Sequence, residues 1–198
     1  MIVYYLTHPQ MQMEPDRPVA LWRLSEAGRA RVHSVLGRKW LSGVQRIISS
    51  AETKAVETAS IIGAHLGIAV EFHDEMGEND RSSTGFLEPE AFEAAADCFF
   101  GAPETSWNGW ERAVDAADRI EASVLAALAA PADAGPVLLV GHGAVGTLLK
   151  CRIAGQEIDR RHDQPAGGGN LFAFDVAAER VLCDWTAMEQ YCWSASDD

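Results

Sequence analysis

Positive charge is scarce in this chain. Its 198 residues carry 16 lysines and arginines against 29 aspartates and glutamates, a formal net charge of −13. Phosphate backbones need a basic footprint, so nonspecific binding of DNA or RNA is not expected. Cysteine is scarce too: Cys98, Cys151, Cys183 and Cys192 form no CxxC pair and no tight framework. Neither the basic start nor the small-residue cleavage site of an export signal is visible, so reduced thiols and a cytoplasmic location are expected. No apolar run approaches a membrane span, which argues against a membrane protein. Metal-ligand spacings such as H-x-x-x-H and Cys/His clusters are missing, and so is the G-x-S-x-G elbow of serine hydrolases. No metal and no cofactor are expected. The run Gly167-Gly168-Gly169 has no P-loop or dinucleotide pattern around it and reads as a flexible loop before a closing strand.

What the chain does have is a core. Hydrophobic residues make up 47% of it, and 198 residues suit a single domain spanning 1–198. The first buried run, Ile2-Val3-Tyr4-Tyr5-Leu6, ends in Thr7-His8-Pro9, where proline stops further strand pairing. The stretch Val137-Leu138-Leu139-Val140-Gly141-His142-Gly143 repeats that design late in the chain, following a loop at 131–136. Between them, Gln10 to Leu24 reads as a loop, and Ser25 caps a helix with Val32, Val35, Leu36 and Trp40 on one face. Gln45 to Ser49 reads as a strand, followed by a helix bearing Ala55, Ala59, Ile62 and Leu66 and stopped by Gly67, then a strand from Ile68 to Phe72. Alternating strands and helices of these lengths predict parallel βαβ units.

The pattern breaks at His73. A helical insertion over about residues 73–106 is expected, with Pro89 at a helix start, and then a long helix from about Trp107 to Ala130. Asn170 to Val176 and Arg180 to Trp185 read as closing strands or a hairpin, and 194–198 as a frayed end. The fold class is therefore α/β, a mostly parallel central sheet with helices on both faces. His33, His65 and His162 read as surface or helix histidines, and Phe99, Trp107 and Trp110 as core. Trp185, Tyr191 and Trp193 could pack the tail or make a homodimer contact.

Three strand ends meet in this reading, supplying Thr7 and His8; Ser49, Ser50 and Lys54; and His142 with Gly143. Open α/β sheets build their sites at such ends, and two of these lead into helix N-termini, which favour anions. Two imidazoles and an ammonium would make a locally positive pocket in an acidic protein, and phosphate is the natural guest.

These residues carry a resemblance. Thr7-His8-Pro9 stands where the histidine phosphatase superfamily, of phosphoglycerate-mutase-like fold, has Arg-His-Gly. Leu24-Ser25-Glu26-Ala27-Gly28 resembles its helix start, and the stretch from Ser49 to Ala59 resembles its Ser-Ser-x-x-x-Arg-Ala-x-x-Thr-Ala segment, with Lys54 at the arginine. Gly141-His142-Gly143 is similar to its late Ser/Gly-His-Gly.

The resemblance implies a metal-independent phosphatase acting on a small phosphomonoester, with His8 as the transiently phosphorylated nucleophile. His142 and Lys54 would supply charge, and Thr7, Lys54, Arg81 and Gly143 would bind phosphate. Glu78, within Met76-Gly77-Glu78, would be the general acid, with Glu75 and Asp80 as rivals. Ser82 and Thr84 are further contact candidates. Thr7 and Lys54 replace two family arginines and Pro9 replaces a glycine, so a catalytically weak member that binds a phosphorylated ligand or partner is the alternative.

Overall fold

The computed structural model describes residues 1–129 and 135–192. Six strands form one sheet: β1 (Ile2–Thr7), β2 (Arg46–Ser50), β3 (Val70–His73), β4 (Val137–Gly141), β5 (Asn170–Asp175) and β6 (Arg180–Ala187). Their spatial order is β3-β2-β4-β1-β5-β6, with the first four parallel, β5 antiparallel to β1, and β6 antiparallel to β5. Five α-helices accompany them: α1 (Glu26–Val35), α2 (Thr53–Leu66), α3 (Pro89–Gly101), α4 (Ala113–Leu128) and α5 (Gly143–Ala154). This is the expected α/β architecture.

Strand alternation sorts the core into two layers. Val3 and Tyr5 of β1 pack with Ile48, Leu139 and Phe172 against side chains of α3, α4 and α5. Tyr4 and Leu6 point the other way, with Ile47, Leu138 and Val140, toward α1 and α2. Because both faces are covered, the central strands read as continuous apolar runs. The register places Thr7 opposite Gly141, and Ser49 opposite Val140, so three loops leave one edge of the sheet side by side.

Several boundaries differ from the sequence reading. β3 begins at Val70 because Gly67 closes α2 in the left-handed region and the Ile68 amide donates back to the Gly63 carbonyl. The helix expected from Trp107 starts only at Ala113, since Asn108 and Gly109 both take positive φ, at 46° and 82°. Its expected end at Ala130, most of the 131–136 loop, Trp193 and the 194–198 end lie outside the described residues. The Gln10 to Leu24 loop contains a 3₁₀ turn at Val19–Leu21 and a single bridge between Met11 and Leu24. The closing strands do form a hairpin. Among the described residues no helix is long and apolar enough to cross a membrane.

Candidate active site

His8 follows β1 directly. Its amide donates to the Gly141 carbonyl at 3.0 Å, which ties the β1 and β4 ends together just beyond their paired residues. Its Nδ1 lies 2.9 Å from the Pro9 carbonyl, so the neutral ring carries its proton on Nδ1 and leaves the Nε2 lone pair unused. Burial first, and then the charges of Lys54 and Arg81, push the His8 imidazole down to about 4. At neutral pH it is an uncharged base.

The Gly167-Gly168-Gly169 run packs onto that same residue. All three have positive φ, and the Gly169 amide donates to the His8 carbonyl at 3.1 Å. A Cβ on Gly168 would collide with that carbonyl. The run read as a flexible loop is instead a strap across the backbone of His8, held from outside by the Arg31 guanidinium, which donates to the Gly167 and Gly168 carbonyls.

His142 precedes α5, and its ring centroid lies 5.2 Å from that of His8 in an edge-on arrangement. It is fully buried, with Nε2 2.8 Å from Ser50 Oγ, while Nδ1 has no hydrogen-bond partner among the described residues. Burial holds its pKa well below the ordinary value, against the raising influence of the Glu52 carboxylate. The Tyr5 hydroxyl braces its backbone, donating to the His142 carbonyl and accepting from its amide, both at 3.2 Å. Gly141 and Gly146 make room for that ring, since a Cβ on either would collide with it.

Glu78 lies against the start of α5. Its carboxylate accepts from the Val145 amide at 3.1 Å and the Ala144 amide at 3.3 Å. Two of the helix N–H groups expected to meet phosphate are therefore occupied by Glu78. Gly143 lines the cavity beside them. Burial raises the Glu78 pKa, and the neighbouring Glu52 adds to the effect, against the lowering influence of Arg81. Its rivals face solvent: Glu75 and Asp80 are both exposed.

Lys54 is 1% exposed and donates to the Val19 carbonyl at 2.9 Å. Its ammonium also pairs with the Glu52 carboxylate, so its charge arrives already matched. Arg81 stacks over the Phe92 ring at 4.8 Å and has no carboxylate within salt-bridge reach among the described residues. Thr7 corrects the reading more sharply. Its hydroxyl donates to Gln164 Oε1 at 2.7 Å and accepts from the Asn170 amide at 3.1 Å, and its side chain does not line the cavity. It serves the β1–β5 junction. Thr84 likewise accepts from the Trp110 indole at 2.9 Å, and Ser82 is exposed.

His8, Lys54, Glu78, Arg81, Phe92 and Gly143 line a cavity of about 640 Å³, with the fully buried His142 and Thr7 set behind its wall. A second cavity of about 770 Å³ shares Glu78, Asn79 and Arg81 with it. No cluster of residues able to hold a metal ion is found among the described residues.

The sequence profile of the histidine phosphatase superfamily (branch 1) matches residues 9–183. The chain belongs to that superfamily. The solved structures similar to this superfamily member include the mycobacterial glucosyl-3-phosphoglycerate phosphatase in complex with inorganic phosphate, at 21% identity and TM-score 0.73, with 99% of this chain and 98% of that one covered. Bacillus stearothermophilus YhfR is similar at 19% identity and TM-score 0.78, covering 95% and 99%. Phosphoserine phosphatase of Entamoeba histolytica in complex with 3-phosphoglyceric acid is similar at 14% identity and TM-score 0.73, covering 95% and 98%. No curated protein sequence matches the chain significantly.

Four residues of this histidine phosphatase-family site carry no signal in the linear pattern. Glu52 touches Lys54 and the Glu78 backbone. Asn79 is buried against both cavities, its Nδ2 without a partner among the described residues. Arg119 of α4 donates to the carbonyls of Glu75, Gly77 and Glu78, fixing the chain that bears the Glu78 carboxylate. Gln164 joins Thr7 to Asn170 beside Gly143. Only the three-dimensional contacts reveal them, because their partners lie up to 157 residues away.

Proposed function

We propose that the protein hydrolyses a small phosphomonoester through a phosphohistidine on His8, without a metal. The observation that carries this is the His8 ring. Its Nδ1 is committed to the Pro9 carbonyl, and the residue opens on the cavity that Glu78, Lys54 and Arg81 also line. In this reading the Nε2 lone pair attacks phosphorus, and the bond to the leaving oxygen breaks as Glu78 gives that oxygen its proton. Glu78, now a carboxylate, then takes a proton from water as the water oxygen attacks phospho-His8. That releases inorganic phosphate and restores neutral His8. Phosphoryl transfer asks little beyond alignment and charge on the equatorial oxygens. Arg81 and Lys54 supply charge, the Gly143 turn supplies close backbone approach, and the buried His142 packs edge-on against the His8 ring and holds its place. Related folds have been solved with inorganic phosphate and with vanadate, which supports a phosphoryl-sized guest here.

A second reading has its own support. Thr7 is spent on Gln164 and Asn170, and Lys54 is paired with Glu52, so the cradle has fewer free cations than the family pattern provides. A member that binds a phosphorylated ligand without turnover would look like this. Hydrolysis of a generic aryl phosphate separates the two. Turnover that withstands a chelator, is abolished in His8→Ala, and leaves an acid-labile phosphoryl label on the wild-type chain supports the enzyme. Phosphate or vanadate binding with no turnover supports the binder.

A further inference from the structure

We infer that Glu52 is a positioning residue of this site, one that anchors both Lys54 and the backbone of Glu78 while placing a fixed negative charge against the phosphate cradle. The inference rests on the functional reading above for the roles of Lys54 and Glu78. Glu52 stands at the start of α2 and does not cap its own helix with its side chain. Its Oε2 pairs with Lys54 Nζ, and its Oε1 accepts from the Glu78 amide at 2.8 Å and lies 3.7 Å from His142 Nε2. Gly77 lets the chain pass close, since a Cβ there would come within 3.3 Å of the same oxygen. One carboxylate thus touches three groups given chemical roles.

An anion in an anion site carries a cost, because like charges repel strongly where water is largely excluded. Burial alone would push the Glu52 carboxyl up. His142 and Lys54, with hydrogen bonds from Lys54 and the Glu78 amide, outweigh it and hold the group down to about 2. It therefore stays ionised at any working pH. Its charge does two opposed things. It weakens the hold of Lys54 on a phosphoryl group, and it favours the protonated form of Glu78, which a proton donor requires. The other charged or titratable groups near Glu78 are Arg81, which pulls its pKa down, Arg119 from α4, the Tyr5 hydroxyl of β1, Lys54 and His8 on the same cavity wall, and His142, two residues before the Ala144 amide that Glu78 accepts from. Of the nearby acids, Glu111 is matched by Arg119, and Glu75 and Asp80 are exposed.

The signature is a pair of changes in Glu52→Gln that plain structural damage would not produce together. Inorganic phosphate should bind the full chain tighter, by about tenfold in titration calorimetry, because Lys54 is released toward the ligand. The basic limb of kcat/KM for an aryl phosphate should move to lower pH by about one unit, because Glu78 loses the neighbour that kept it protonated. In Glu52→Gln/Lys54→Met, which leaves no unpaired ammonium, phosphate affinity should fall back to wild-type strength or weaker while the basic limb still moves down. Should Glu52→Gln fail to fold, the double variant decides by that limb. Phosphate binding that is unchanged or weaker in folded Glu52→Gln overturns the inference, as does a basic limb that stays put in an active variant. If neither wild type nor variant turns substrate over, yet Glu52→Gln binds phosphate more tightly, the catalytic reading fails and the role of Glu52 stands.

Discussion

At the scale of single residues, the site is governed by what each polar group is already bonded to. Thr7 shows this best, because its position at a strand end looks functional and its hydroxyl is spent elsewhere. Thr7→Val would keep the shape and leave the Asn170 backbone amide without its acceptor, while Gln164 Oε1 keeps only the Asn170 side-chain donor. We expect a loss of about 1–3 kcal/mol in chemical denaturation, with phosphate affinity unchanged. His8 sets the acid side. Its folded pKa of about 4 lies below the ordinary 6.5. Between those values the unfolded chain binds a proton that the folded chain refuses, so stability should fall as pH drops from about 7 toward 4. Measuring the denaturation midpoint in His8→Gln against wild type across that range isolates the contribution, which should vanish in the variant. Activity itself should decline below about pH 4, as the nucleophile becomes protonated. His8, His142 and Glu78 could be picked out in the sequence because strand ends and a family pattern point at them. Glu52, Asn79 and Arg119 could not, since nothing local distinguishes them from the chain's other polar residues.

At the scale of elements, the sheet and its helices follow from apolar runs and their punctuation, which is why a mostly parallel sheet with helices on both faces was predictable while its strand order was not. The errors came from backbone conformations that no hydrophobic period encodes. Trp110 continues the stripe of α4 on paper, yet the positive φ of Asn108 and Gly109 turns the chain before the helix begins. The glycine strap is the other case: three glycines look slack in sequence, and in space they close over the backbone of His8. Gly168→Ala would place a methyl against the His8 carbonyl at a residue with φ of 59°. Expected outcomes are a destabilisation of about 1–3 kcal/mol and a fall in kcat well beyond any rise in KM, read by steady-state kinetics on an aryl phosphate. Gly67→Ala, at a left-handed helix end far from the site, is the control: it should lose about 1 kcal/mol and keep its kinetics.

At the scale of the whole molecule, the net charge of −13 works against the substrate the cavity is built for. Long-range repulsion of a phosphate dianion is screened by salt, so kcat/KM should rise between low and physiological ionic strength before levelling off. A steady decline with salt would instead mean that attraction by the local cations dominates the approach. The topology has a consequence of its own. The strand that leads into His8, β1, has β4 and β5 as its two neighbours, and both come from the last third of the chain. At ribosomal speeds of roughly 5–20 residues per second, that first strand waits on the order of ten seconds for a hydrogen-bonding edge. During synthesis its apolar side chains have no paired strand until β4 is made, so a nascent polypeptide of this design is expected to fold better with a holdase chaperone present.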